Sequence, residues 1–264
     1  MKVTVVTPNR NGDRFLERSV TSVLVQREAG VDLEYIVLDA CSTDSSGAIL
    51  ARHAAGIDRL VVEPDNGPAS AINKGLRLAT GDLVAWLNAD DFYHPGALTR
   101  AVRAAERDPA RAFWFGRCLI VNEQDREIRR WITRFKELFF PFSSRFVLQC
   151  INYLSQPAVF MSRRSVEKAG FLREDLKAAW DYEYFLRLWR QGGAGRIRGA
   201  PLSAFRWHGQ SISGQHFEVQ FREEYEAAAA DAGARSLQAL IHRAVRWGIV
   251  AAYRRMARGC EPVN

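Results

Sequence analysis

The sequence predicts an α/β fold built on a doubly wound, mostly parallel central sheet flanked by helices, with a helical tail. Three observations predict it. Strand and helix signals alternate through the first 110 residues with short loops between them. The segment Leu83-Val84-Ala85-Trp86-Leu87 is continuously apolar, as a strand covered on both faces is. From Phe217 to Arg258 helical patterning dominates.

Each element has a local reason. Val3-Thr4-Val5-Val6-Thr7 is a β-branched run, closed by Pro8 and a loop from Asn9 to Asp13. Phe15, Leu16, Val20, Val23 and Leu24 recur at helical spacing. Tyr35-Ile36-Val37-Leu38 is a second strand with Asp39 at its end. Ser42-Thr43-Asp44-Ser45 then offers N-cap residues to a helix around Ile49 and Leu50. Leu60-Val61-Val62 is a third strand. Asn66-Gly67-Pro68 turns the chain into a helix from Ala71 to Leu78, which stops near Gly81. In the second half, Ala112 to Val121 reads as one strand and Leu138 to Phe142 as a greasy, proline-broken loop. Val159-Phe160-Met161 reads as a strand, Ala179 to Gln191 as a helix, and Ile197 to His208 as one or two strands. No repeat or flexible linker divides the chain.

The 264 residues are 47% hydrophobic and 25% charged, which excludes a disordered chain. No apolar run approaches the roughly 20 residues that cross a bilayer. The start lacks a signal-peptide core, and Cys41, Cys118, Cys150 and Cys260 lie far apart, so a cytoplasmic protein with reduced thiols is expected. The net charge of +7 alone admits nucleic acid, an acidic membrane surface or a phosphate-bearing substrate.

Parallel sheets bind ligands beyond the carboxyl ends of their strands. Asp39 ends the second strand there, and Asn88-Ala89-Asp90-Asp91 ends the fourth. Adjacent carboxylates suit Mg²⁺ or Mn²⁺ shared with substrate phosphates, or else serve as first-turn acids of the following helix. Asp39 either caps its loop or accepts hydrogen bonds from a base or ribose. The absence of GxGxxG after the first strand disfavours a dinucleotide cofactor, and the absence of GxxxxGK[ST] removes the P-loop NTPases.

The wording of these segments carries a resemblance. Val5 to Asn11, Ser19 to Gln26, Tyr35 to Asp44, Asp65 to Gly81 and Leu83 to Leu98 resemble, in order and spacing, family 2 glycosyltransferases of the GT-A fold. The resemblance implies an inverting enzyme that takes one sugar from a nucleotide sugar, a UDP-sugar above all. The acceptor it implies is a glycan, lipid-linked glycan or similar cell-surface precursor. It implies a catalytic unit over 1–215, with a nucleotide-sugar half (1–110) and an acceptor half (111–215), followed by a helical segment over 216–264. Pro8 and Asn11 would line the nucleotide pocket, and Asp39 would receive the base. Asn66, Asn73 and Lys74 would lie toward the ribose and diphosphate. Asn88-Ala89-Asp90 stands at the family's DxD position with Asn in place of the first Asp. Asp90, Asp91 and His208, the last within Arg206-Trp207-His208-Gly209-Gln210-Ser211-Ile212-Ser213, would then hold Mn²⁺ or Mg²⁺. Asp181 matches the catalytic base, with Glu183 the alternative two residues on. Gln156 would reach the acceptor side.

The basic charge is concentrated. Six arginines against one acid over residues 235–264 carry most of the +7. Leu237, Leu240, Ile241, Ala244, Trp247 and Ala251 share one helical face, with Arg235, Arg243, Arg246 and Arg254 on the other. Arg255 and Arg258 break the apolar face. Such a helix fits the anionic inner face of a membrane, or docks on its own domain with a solvated arginine face. Nucleic acid is not expected, because the charge is not interleaved with aromatics across a face. The competing readings are a sugar-phosphate nucleotidyltransferase, whose Gly-rich basic loop after the first strand is missing, and a non-catalytic sugar- or nucleotide-binding module. QxxRW and membrane spans are absent, so addition of single sugars is expected.

Overall fold

The computed structural model describes residues 1–211 and 215–258, the last eight of them as backbone alone. Ile212, Ser213, Cys260 and Glu261, and the side chains of Ala251, Arg254, Arg255 and Arg258, lie outside the described residues. The expected alternation is present: β1 (Val3–Asn9), α1 (Asp13–Glu28), β2 (Leu33–Asp39), α2 (Ser46–Arg52), β3 (Arg59–Val62), α3 (Pro68–Leu78) and β4 (Leu83–Trp86). These four strands are parallel, with β1 between β2 and β4 and Val3 opposite both Leu33 and Leu83. They head a seven-stranded sheet among the described residues, in the order β3-β2-β1-β4-β8-β6-β9. Its second half adds β6 (Phe113–Phe115), β8 (Val159–Ser162) and β9 (Ala194–Arg196), with β8 antiparallel to both neighbours.

The strand expected from Ala112 to Val121 is two strands in two sheets. After β6 the chain leaves the large sheet at Gly116, and β7 (Cys118–Val121) pairs with β10 (Ser203–Arg206) in a small sheet that includes β5 (Phe92–Tyr93). A Cβ at Gly116 would lie 2.4 Å from the Leu202 side chain, so the crossing is crowded and needs glycine. The helices are α4 (Ala97–Arg107), α5 (Arg130–Glu137), α6 (Arg145–Cys150), α7 (Arg163–Ala169), α8 (Trp180–Trp189), α9 (Phe217–Ala232) and α10 (Leu237–Arg258).

Alternation along the strands divides the core in two. Val6, Ile36, Leu38, Val84 and Trp86 join Ile72 and Leu76 of α3 and Phe185 and Leu188 of α8. Val5, Tyr35, Val37, Leu83 and Ala85 join Leu16 and Val20 of α1 and Leu98 and Ala101 of α4. Each such buried apolar side chain contributes about 1.5–3 kcal/mol of transfer free energy. α3 sits hard against β1: a Cβ at Gly75 would lie 2.3 Å from Val6 Cγ1.

The tail helix corrects its expectation. α10 packs on α6 and α9, and the face that docks carries Ala239, His242 and Val245. His242 is buried, with Nδ1 3.0 Å from the carbonyl of Gln149. Arg246, expected on a solvated face, lies on this inner side. The expected apolar face points away, with Leu237, Leu240 and Trp247 exposed. Among the described residues no helix is long and apolar enough to cross a membrane.

Candidate active site

The carboxyl ends of β1 and β4 open into a cavity of about 700 Å³ that runs between α5, α8, α9 and α10. The loops on the nucleotide side are locked to each other. The Asp44 carboxylate accepts from the Asp13 backbone N–H at 2.9 Å, and the Asp13 carboxylate accepts from that of Ser45 at 3.2 Å. Two helix N-termini are thereby capped reciprocally and held side by side. Asn11 takes a left-handed backbone (φ 50°), which asparagine tolerates, and its Oδ1 accepts from Thr43 N–H at 2.8 Å. Pro8, Asn11, Ala89 and Asn88 line the cavity.

Asp39 stands behind that wall. Its carboxylate is 5% exposed and accepts from Asn9 Nδ2 (2.6 Å), Ser42 Oγ (2.7 Å) and Ser42 N–H (2.9 Å). It organises the loop that shapes the nucleotide side.

The acidic cluster splits into two roles. Asp90 lines the cavity, with Oδ2 3.0 Å from His208 Nε2. Asp91 does not face the cavity. It is fully buried, accepts from the Arg206 backbone N–H at 2.9 Å, and is also reached by Asn88 Nδ2 at 3.3 Å. Burial and the neighbouring Asp90 hold its carboxyl well above the usual carboxylate range. Asp91 is therefore an interior anchor, set back from the cavity that Asp90 lines. Arg206, itself 1% exposed, supports the pair. Its Nε donates to the Asp90 carbonyl at 2.9 Å and its Nη1 to the Asn122 carbonyl at 2.8 Å. Its guanidinium lies 4.5 Å from the centre of the Phe15 ring, which packs 5.1 Å from His208.

Asp90 and His208 fit a hard divalent cation. Mg²⁺ and Mn²⁺ are commonly held by one or two protein side chains while diphosphate oxygens and water complete the shell. Among the described residues no group of three acidic, His or Cys side chains gathers.

On the opposite side, Asp181 lines the cavity from the first turn of α8. Burial raises its carboxyl above the ordinary value, and the Lys136 ammonium partly offsets this. Glu183 is spent elsewhere: both its oxygens receive the Arg187 guanidinium, at 2.8 and 2.9 Å. Gln156 lines the cavity, donates to the Trp86 carbonyl at 2.7 Å, and leaves its buried Oε1 without a partner.

Besides Asp39, three expected donor contacts are not brought to the cavity wall. Asn73 is buried and pins α3 to the segment before α8, donating to the Leu172 carbonyl and Glu174 and accepting from Leu172 N–H. Lys74 pairs with Glu63 at 2.9 Å. Asn66 is exposed on the turn, and its neighbours Asp65, Gly67 and Pro68 line the cavity instead.

The Asp181 side of the cavity holds residues that sequence reasoning missed. Lys136 donates to the Leu154 carbonyl at 2.9 Å, and burial pushes its ammonium down. Glu224, from α9, is 4% exposed and pushed up to about 7 by burial, with Asn152 donating to it at 3.0 Å. Glu223 beside it accepts from the backbone N–H groups of Lys177, Ala178 and Ala179. No local signal marks these residues, since each role depends on a partner far away in the chain.

With this geometry in view, the comparisons with known proteins are decisive on family. Residues 4–171 match the family described as glycosyl transferase family 2. The chain belongs to that family. A curated relative is the succinoglycan biosynthesis protein ExoU of Rhizobium meliloti, 26% identical over 92% of this chain and 73% of the relative. S. aureus TarS in complex with UDP-GlcNAc superposes with a TM-score of 0.70 at 17% identity, over 91% of this chain and 69% of TarS. A mannosyltransferase of Pyrobaculum calidifontis in complex with GDP-Man and Mn²⁺ superposes at 0.63 and 20% identity, over 97% of this chain and 79% of its own. These superpositions establish the GT-A arrangement of the fold. The chain spans between 20% and 73% of the length of the curated relatives it matches. α9 and α10, whose residues line the cavity, lie beyond the family-matched stretch.

Proposed function

We propose that this protein transfers one sugar from a nucleoside-diphosphate sugar to an acceptor hydroxyl, with inversion at the anomeric carbon. The observation that carries this reading is that Asp181 lines the same cavity as Asp90 and His208, while Glu183 is locked to Arg187. The solved neighbours support a donor of the UDP-sugar or GDP-sugar class, uracil being the base proposed here, and the relative named for succinoglycan biosynthesis supports a glycan acceptor, with a lipid-linked glycan proposed as the other form.

Asp90 and His208 would hold Mn²⁺ or Mg²⁺ against the diphosphate. The ion, when bound, offsets charge on the departing nucleoside diphosphate as a Lewis acid. Asp181 accepts the proton of the acceptor hydroxyl while its oxygen bonds to the anomeric carbon from the opposite face. The bond from that carbon to the diphosphate oxygen breaks, and its electron pair leaves with the diphosphate. Burial suits Asp181 to the task, because a carboxylate raised above its usual range holds a proton better. Asn11 and Pro8 shape the nucleotide side, and Asp39 supports that wall from behind.

The outward face of α10 supports work from the cytoplasm at an anionic membrane surface. Leu237, Leu240 and Trp247 are exposed there, with Arg243 exposed beside them.

Donor panels test the whole reading. Thermal shift with nucleotide sugars plus Mn²⁺ or Mg²⁺ is expected to single out one nucleoside diphosphate sugar, and that sugar is expected to be transferred intact. Absence of any nucleotide-dependent shift would refute it.

A further inference from the structure

The acceptor lobe of the cavity has more positive hydrogen-bonding capacity than its own residues use. Lys136 lines it and donates to two neutral oxygens, the Leu154 carbonyl at 2.9 Å and Ser155 Oγ at 3.3 Å. An ammonium carries three protons, so one donor is left over. No carboxylate stands at ion-pair distance from Lys136 among the described residues. Arg246 lines the same lobe from α10, and its Nε is buried without a hydrogen-bond partner. A buried donor left in this state destabilises the fold unless a ligand meets it.

Glu224 and Asp181 act on the Lys136 charge through space, but neither carboxylate is hydrogen-bonded to it. Asp181 is reserved for the acceptor proton, and Glu224 is occupied by Asn152 at 3.0 Å and Gln220 at 3.2 Å. Apolar side chains share the wall with them, Trp131 and Phe135 from α5 and Val245 and Ile249 from α10, beside polar ones such as Asn152, Gln220 and His242. Two separated cationic donors with greasy flanks are complementary to a phosphate, whose oxygens diverge, on a molecule with an apolar portion.

We infer that Lys136 and Arg246 form a subsite for a phosphate ester carried by the acceptor, close to the hydroxyl that Asp181 deprotonates. This deepens the proposed function and rests on it. The phosphate comes either from a lipid-phosphate linkage or from a phosphorylated sugar.

Calorimetric titrations of enzyme saturated with nucleotide and Mn²⁺ test the subsite, with the donor side filled. The probes are n-octyl phosphate, glucose 1-phosphate and, as the uncharged control, n-octyl glucoside. Octyl phosphate is expected to bind, and to bind at least tenfold more weakly to K136Q and to R246Q, while K136R, which keeps the charge, retains binding. Glucose 1-phosphate binding as tightly as octyl phosphate, with the same dependence on both residues, assigns the phosphate to a sugar. Weaker binding assigns it to a lipid linkage. Binding that is unchanged in both variants, or octyl glucoside binding as well as octyl phosphate, overturns the subsite. Nucleotide binding is titrated separately with UDP and GDP, so a failure of the donor reading is distinguished from a failure of the phosphate subsite.

Discussion

Glu223, on α9, accepts a hydrogen bond of 3.0 Å from the backbone N–H of Ala179, the residue from which α8 starts. The same carboxylate receives Ala178 N–H at 2.9 Å and Lys177 N–H at 2.9 Å. These three N–H groups lead into α8, so a helix 44 residues downstream anchors the segment from which α8 starts. Two residues after Ala179 stands Asp181. The segment read from sequence as a tail thus fixes the helix end that presents the proposed base.

Replacing Glu223 with Gln keeps its shape and removes its charge. Hydrogen bonds to a charged group contribute about 1.5–3 kcal/mol, so E223Q is expected to lower stability by about 2 kcal/mol. It is expected to reduce kcat roughly tenfold while the nucleotide Kd stays the same. Denaturant unfolding and steady-state kinetics check this; wild-type values in both would show that the entry to α8 needs no such anchor.

Asp181 and Glu183 separate cleanly by mutation. D181N is expected to bind nucleotide normally and lose transfer by roughly 10²–10⁴-fold, the usual worth of a general base. E183Q is expected to lose stability through its broken pairing with Arg187 and to retain most of its turnover. The acid limb of the wild-type kcat/KM profile is expected above the usual aspartate range, because burial raises Asp181 and the base must be ionised to act. A profile flat down to pH 4 would remove Asp181 from the role.

Glu224 gives the fold a pH-dependent stability of known sign. Its folded value, about 7, lies above the ordinary 4.5, so the folded state binds the proton more tightly than the unfolded chain. That contribution is fully present below pH 4.5 and is lost as pH rises through about 7. Its size is on the order of 3 kcal/mol. E224Q, neutral at every pH, is expected to be less sensitive than wild type between pH 5 and pH 8 and to be relatively more stable at pH 8. Parallel melting curves for the two proteins across this range would contradict the assignment.

The divided acidic cluster predicts divided phenotypes. D90N and H208A are expected to weaken Mn²⁺ binding at least tenfold and, like excess EDTA, to suppress transfer. D91N is expected to leave metal binding unchanged and to lower stability, since Asp91 faces Arg206 N–H in the interior. Metal titration of the three variants decides, and loss of Mn²⁺ binding in D91N would restore Asp91 to the metal site.

Legibility followed the range of the interactions. β1 to β4 could be read directly because each is a short local run between turn residues. The break at Gly116 could not, because the crowding that demands it comes from Leu202. Asp90, His208 and Asp181 were visible through the wording of their segments. Lys136, Glu223 and Glu224 lie in stretches that read as ordinary helix, and they gain their roles from contacts across the fold. Asn73 misled for a related reason: a polar residue beside a binding loop looks the same whether it faces a ligand or, as here, the Leu172 backbone. Periodicity likewise located the apolar stripe of α10 but not the side on which it is covered.

That uncovered stripe yields the last prediction. Ala239 and His242 are buried against the domain, so cutting the chain before α10 would expose its docking surface and confuse the result. Point changes on the outer face avoid this. Leu240 and Trp247 are 47% and 78% exposed, and their replacement by Glu removes apolar area and adds negative charge where Arg243 is exposed nearby. Wild type is expected to float with vesicles rich in phosphatidylserine or phosphatidylglycerol and not with neutral phosphatidylcholine vesicles. The L240E/W247E protein is expected to stay with the soluble fraction while melting and binding nucleotide as wild type does. Salt at 0.5 M is expected to weaken flotation, since the electrostatic part is screened at that ionic strength. Equal partitioning of the two proteins would mean that the stripe does not meet lipid.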